Sequence, residues 1–125
     1  MEKRAAVRQA VILFAHGARD PHWARPFQQL VVELGERLPG ERIALAFLEL
    51  MQPSLAQCAA VLHGDGIRSL RIVPVFLGFG GHLKNDLPKL VAEIRGRHKD
   101  LEITVEPPIG EQPEVITAIA RAISR

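Results

Sequence analysis

Two apolar runs constrain this chain more than anything else in it. Val11-Ile12-Leu13-Phe14-Ala15 and Ile72-Val73-Pro74-Val75-Phe76-Leu77 are apolar at every position. A strand with one face in water alternates apolar and polar side chains, whereas a continuous run reads as a buried strand of a parallel sheet covered by helices. Each run then delivers a histidine among glycines. His16-Gly17 follows the first, and Gly78-Phe79-Gly80-Gly81-His82 follows the second. Ligands of open parallel sheets bind at the carboxyl ends of the strands. Two histidines brought there by separate strands suggest a site, with metal binding and proton transfer as its chemistry.

Strand-like and helix-like segments alternate along the rest of the chain. The first strand is read over Gln9–Ala15. Asp20-Pro21 is an N-cap and first-turn pair that introduces a helix, with Trp23, Phe27, Leu30, Val31, Leu34 and Leu38 as its apolar stripe. Pro26 moves the regular helix start to about Arg25, and Pro39-Gly40 stops it. A second strand is expected over Ile43–Leu48. Pro53-Ser54 opens a second helix carrying Leu55, Cys58, Ala59 and Leu62, and Gly64-Asp65-Gly66 ends it. The third strand is read over Leu70–Leu77. Asp86 is read as the cap of a third helix with Leu87, Leu90, Val91 and Ile94 inward. A short strand, Glu102–Glu106, leads to Pro107-Pro108. The last helix begins near Pro113 and shows Val115, Ile116, Ile119 and Ile123.

This βαβαβαβα pattern with short connections predicts one α/β domain over residues 1–125: a four-stranded parallel sheet with helices on both faces. The expected strand order is 2-1-3-4, the flavodoxin-like kind, with its switch point between strands 1 and 3. Those strands end toward His16 and His82. Pro74 conflicts with a central strand, and a bulge re-aiming Val75–Gly80 would resolve the conflict.

Composition narrows the classes. A chain of 125 residues with 47% hydrophobic residues has a globular profile and enough length for a core, but not for a deep closed cleft. The formal charge of +2 and the scarcity of aromatic residues argue against a nucleic-acid partner. The apolar run Ala10–Ala15 is too short to cross a membrane. Cys58 is the only cysteine, so no intrachain disulfide can form, and it lies in an apolar helical pattern that reads as core. The protein is read as cytoplasmic.

The glycine loop is neither a P-loop, since GxxxxGK[ST] is missing, nor a GxGxxG turn after the first strand. Ala15 stands where a histidine phosphatase would carry an arginine before His-Gly. Neutral imidazole binds Fe, Co, Ni, Cu or Zn and accepts protons near neutral pH. Two histidine ligands leave coordination positions open, as suits a metal passed on rather than held. Glu49, at the same sheet edge, is a candidate helper base or partner to a histidine. Arg19, Arg25 and Lys84 can attract an anionic substrate, and Phe76, Phe79, Leu77 and Met51 can wall the site. His22, His63 and His98 read as surface residues. The residues alone leave three readings open: a metal-transferring enzyme, a metal carrier, and an interaction domain whose histidines are structural.

Three blocks in order carry a resemblance: His16-Gly17-Ala18-Arg19-Asp20-Pro21, then Phe47-Leu48-Glu49-Leu50-Met51-Gln52-Pro53-Ser54, then Val73-Pro74-Val75-Phe76-Leu77 with Gly80-Gly81-His82 and Asp86-Leu87-Pro88. From Val11 to Ile123 the chain resembles the small sirohydrochlorin chelatases, short class II enzymes that insert cobalt, iron or nickel into sirohydrochlorin. The resemblance implies a flavodoxin-like half-domain that forms a homodimer, with the tetrapyrrole in the cleft between two copies. It implies His16 and His82 as metal ligands and catalytic residues, with His16 also accepting a proton. It implies substrate contacts at Gln52 and along Leu77, Gly78, Phe79, Gly80 and Gly81. Ala18 stands where a serine is common in the family, and Gln52 where some members carry a carboxylate. The expected activity is insertion of a divalent metal, Co2+ first and Fe2+ next, Ni2+ being the third metal of the family, toward cobalamin or siroheme. The metal is a substrate, and no organic cofactor, nucleic acid or membrane is expected to take part. The resemblance also extends the carrier reading to a tetrapyrrole.

Overall fold

A continuous apolar run needs cover on both sides, and the sheet supplies it. The computed structural model describes residues 8–125. In chain order the elements are β1 (Gln9–Ala15), α1 (Arg25–Arg37), β2 (Arg42–Phe47), α2 (Leu55–Gly64), β3 (Ser69–Pro74), α3 (Gly81–Arg97), β4 (Glu102–Val105) and α4 (Pro113–Ile123). The four strands pair in parallel in the order β2-β1-β3-β4. β1 and β3 are the central strands, and β1 is buried from Ala10 to Ala15. Successive side chains of a strand point to opposite faces. Ile12, Phe14, Leu70 and Ile72 therefore meet α2 and α3 on one face, while Val11, Leu13 and Val73 meet Leu30, Val31, Leu34 and Leu38 of α1 on the other.

Local signals set most helix ends where the sequence placed them. Asp20 caps a short 3-10 turn, Pro21–Ala24, by accepting the His22 N–H, and α1 starts at Arg25. Ser54 caps α2 in a reciprocal capping box with Gln57, an arrangement worth about 1 kcal/mol. Cys58 is core, as expected. Burial pushes its thiol up to about 11, against a smaller opposing effect of the Arg42 charge. No described helix is long and apolar enough to cross a membrane.

Two expectations are corrected, and the helix cover, on both faces as expected, gains one detail. β3 ends at Pro74, not Leu77, and needs no bulge. Val73 and Val75 direct their backbone groups toward β1, where the Val75 N–H donates to the Phe14 carbonyl (2.8 Å). Pro74 faces the opposite side, where β4 has already ended at Val105, so its missing N–H breaks no ladder bond. Second, α3 begins at Gly81, five residues before the expected Asp86 cap. Gly80, in extended conformation, serves as the N-cap without a side-chain hydrogen bond, so no capping side chain marks the start. The helix cover is uneven. The stripe of α4 reaches no core, and none of its residues is buried.

Candidate functional site at the carboxyl edge of the sheet

The site is assembled where β1 and β2 run out. Their parallel pairing continues past the strand ends: the Leu48 N–H donates to the Ala15 carbonyl (2.8 Å) and the Glu49 N–H to the His16 carbonyl (3.1 Å). This register brings Glu49 beside His16, and their side chains meet with Nε2 of His16 3.0 Å from a carboxylate oxygen. A carboxylate only accepts, so the bond puts a ring hydrogen on Nε2 and leaves Nδ1 of the neutral ring with its lone pair.

The backbone around this pair tolerates little change. Gly17 has a φ of 97°, a left-handed conformation, and a Cβ there would run into the Glu49 carbonyl oxygen. Immediately after Glu49 the chain reverses in a γ-turn, with the Met51 N–H donating to the Glu49 carbonyl (2.8 Å) across Leu50 at φ 67°. A leucine held there costs about 1–3 kcal/mol.

The opposite wall comes from the segment between β3 and α3. A cleft of about 290 Å3 is lined by His16, Leu48, Phe76, Gly78, Gly80, Gly81, His82, Leu83 and Asp86. Phe76 stands at its base, edge-on to Phe14, His16 and Phe79, with ring centroids 6.0–6.3 Å apart. The short 3-10 turn Ile109–Glu111 braces this wall: the Gly110 N–H donates to the Phe76 carbonyl (2.9 Å), and a Cβ on Gly110 would run into the Leu77 backbone. Gly78, Gly80 and Gly81 have ordinary negative φ, and a Cβ on any of them would meet nothing of the chain within 4 Å. Unusual backbone angles therefore do not account for these glycines. They leave room on the open side of the cleft.

The structure brings together some of the expected residues and separates others. His16 and His82 line one cleft, with Gly78, Gly80 and Gly81 between them. His82 is not at a strand end, as expected, but in the first turn of α3. Glu49 is hydrogen-bonded to His16. Gln52, Arg19, Lys84 and Leu77 are exposed and do not line the cleft, and Phe79 reaches it only through Phe76. Arg25 borders a separate hollow on the outer side of α1 that holds no histidine, cysteine or carboxylate. Leu48, Leu83 and Asp86 went unrecognised as lining. Asp86 lies one helical turn after His82, a relation visible only once α3 is seen to start at Gly81. Among the described residues no three His, Cys, Asp or Glu side chains converge closely enough to form a ready-made metal cage.

Residues 10–125 match the model of the CbiX family. The chain is 30% identical over 82 residues to the sirohydrochlorin cobaltochelatase of Methanopyrus kandleri, a match covering 66% of this chain and 57% of that protein. It is 29% identical over 102 residues to the sirohydrochlorin cobaltochelatase of Sulfurisphaera tokodaii, covering 80% and 78%. Among solved structures, a cobalamin (vitamin B12) biosynthesis CbiX protein of Marinobacter aquaeolei VT8 superposes with a TM-score of 0.82 at 31% identity, covering 93% of this chain and 94% of that one. The sirohydrochlorin chelatase SirB of Bacillus subtilis subspecies spizizenii, solved in complex with cobalt, shares the fold at a TM-score of 0.76 and 24% identity. That match covers 94% of this chain and 50% of SirB. The chain belongs to the CbiX family.

Proposed function

We propose that this CbiX-family chain is a sirohydrochlorin chelatase, which inserts a divalent metal ion into the macrocycle as one domain spanning residues 1–125. One observation carries the reading. The histidines that follow two different strands share one open cleft, and one of them is paired with a carboxylate. The names of the similar proteins and the family match point to the same chemistry. Co2+ is the favoured ion and Fe2+ the next, with Ni2+ third, for cobalamin or siroheme synthesis. The cytoplasm is the proposed compartment.

Insertion exchanges one M2+ for two pyrrole N–H protons, so the site must present the metal and remove protons. His16 and His82 are the proposed metal ligands. Nε2 of His16 is engaged by Glu49, which leaves Nδ1 as the single lone pair for both tasks. The ring therefore acts in sequence. Nδ1 holds the ion first, releases it to the macrocycle, and takes up one of the two pyrrole protons with the same lone pair, while the second passes to solvent water in the open cleft. The Glu49 carboxylate stabilises the imidazolium that results, the role of a helper base. The metal is substrate, and the step needs no redox change and no organic cofactor.

Sirohydrochlorin is flat and edged with carboxylates. Phe76 and the glycine segment offer it an apolar floor with room for close approach, and Leu77, Phe79 and Gln52 are proposed to touch it at the rim. Arg19 and Lys84, exposed outside the cleft, are proposed to meet its carboxylates. A cleft of this size holds only part of a tetrapyrrole, so a homodimer is proposed to enclose the rest.

The test is anaerobic insertion of Co2+ and Fe2+ into sirohydrochlorin, followed by visible absorption. Wild type is expected to exceed the spontaneous rate, and His16→Ala and His82→Ala each to lose about 100-fold or more. A wild-type rate equal to the spontaneous one overturns the enzyme reading. Tight metal retention without turnover would leave a carrier in its place.

A further inference from the structure

The γ-turn after Glu49 accounts for a backbone but not for a side chain. With φ at 67°, Leu50 occupies a region that glycine enters freely and a leucine enters only under strain. Glycine would close the same turn, with the Met51 N–H on the Glu49 carbonyl, and relieve that strain. Strained residues persist where an interaction elsewhere offsets their cost. Among the described residues nothing offsets it. The Leu50 side chain is 58% exposed and joins no cluster of the core, whereas its neighbours Leu48 and Met51 both pack against buried residues.

We infer that Leu50 is a substrate contact that separates the two substrates of insertion: it grips the apolar face of the macrocycle and takes no part in holding the metal. This deepens the chelatase reading and rests on it. The position suits the role. Leu50 follows Glu49, whose carboxylate lies 3.0 Å from Nε2 of His16, and stands two residues beyond Leu48, which lines the cleft. The reversal at Leu50 stops the chain from running on past the edge of the sheet, so residue 50 stays at the rim beside the histidine pair.

The strand order gives Leu50 a counterpart. β1, which leads to His16, lies between β2 and β3. Leu50 follows β2, and Leu77, 67% exposed, follows β3. Their strands are two spacings apart, about 10 Å. An exposed leucine thus stands on either side of the strand that delivers His16, and a flat apolar ring can rest on both. A divalent ion needs lone pairs and gains nothing from a leucine, whereas a ring leaves water when it meets one. The strain carried by the free chain is offset only in the complex with the ring.

The test compares three substitutions at this position. Metal-free sirohydrochlorin is titrated in and followed by visible absorption, Co2+ binding to the protein alone is followed by calorimetry, and stability is read from urea unfolding. Leu50→Ala and Leu50→Gly are expected to weaken sirohydrochlorin binding, and to raise its KM in the insertion assay, about tenfold, with kcat within about threefold and Co2+ affinity unchanged. Leu50→Met, which keeps an apolar side chain of similar reach, is expected to bind within about threefold of wild type. Leu50→Gly is expected to unfold at a higher urea concentration than Leu50→Ala, the reverse of the usual ranking, because only the glycine relieves the turn. Sirohydrochlorin binding indifferent to Ala and Gly overturns the inference. So does an equal loss of Co2+ affinity, which would make Leu50 a prop for the His16–Glu49 pair, or an alanine variant more stable than the glycine one. Wild type that binds and inserts, beside indifferent variants, keeps the chelatase and removes only this contact. Wild type that does neither removes both.

Discussion

The sheet carries a pair of histidines at each end, and the two pairs are used differently. At the amino end the rings of His63 and His98 pack at a 36° tilt with centroids 4.5 Å apart, ahead of β3 and β4. Nε2 of His63 donates to Asp100 (2.8 Å), Nε of Arg68 forms an ion pair with the other oxygen of Asp100 (3.1 Å), and Arg68 donates to the carbonyls of His63 and Ile67. This network joins the end of α2 to the connections that lead into β3 and β4. At the carboxyl end His16 has one partner, Glu49, and turns toward a cleft that His82 also lines. The difference lies in the surroundings: His63 is tied by Asp100 into a charged cluster with Arg68, whereas His16 and His82 line a cleft with room for a ligand. His63 and His98, read from sequence as surface residues, are half-buried and structural.

The largest contrast is expected at two glycines with nearly the same conformation. Gly17 has φ 97° and Gly66, beside His63, has φ 96°. Gly66→Ala meets nothing within 4 Å and bears only the conformational cost, about 1 kcal/mol. Gly17→Ala bears that cost and also drives a methyl into the Glu49 carbonyl, so it should lose at least about 3 kcal/mol in urea unfolding, and metal insertion with it. Equal losses at the two positions would mean that the carboxyl edge is not the tighter end.

Next comes the carboxylate that faces each pair. Glu49→Gln keeps the size but not the charge, and insertion is expected to fall about 10- to 100-fold with the fold unchanged. An unchanged rate would remove Glu49 from the proton path.

The smallest effect is expected at the amino end. The hydrogen bond from His63, helped by the nearby Arg68, holds the Asp100 carboxyl below its usual range against a weaker desolvation effect. A lowered carboxyl pKa stabilises the fold at pH above the unfolded value of about 3.9, and that stabilisation is lost as pH falls through the folded value. His63→Ala should therefore lower the thermal midpoint at pH 7, with the deficit shrinking as pH falls below about 3.9 and through the lower folded value. Insertion should stay within about twofold of wild type. A large activity loss would join the two ends functionally and break the contrast.

Much of this was legible in the residues. The four strands followed from apolar runs and short connections; the order 2-1-3-4 was the flavodoxin-like expectation rather than a consequence of the residues, and it put His16 and His82 at one edge. Three things were not legible. The bond between His16 and Glu49 joins residues 33 apart and exists because β1–β2 register continues past both strands. The start of α3 was hidden because Gly80 caps it without a side chain. The amino-end network was hidden because His63 at the end of α2, Arg68 just before β3 and Asp100 just before β4 meet only when the sheet is assembled.

By itself, then, the sequence determined which segments must be buried and along which faces, because burial is written locally as periodicity. Only the tertiary structure decided which polar groups face each other, since that depends on register and on the direction of chain ends. It also decided that the α4 stripe is left uncovered. An apolar stripe records the need for a partner, but whether its own sheet meets that need depends on where the preceding turn aims the helix.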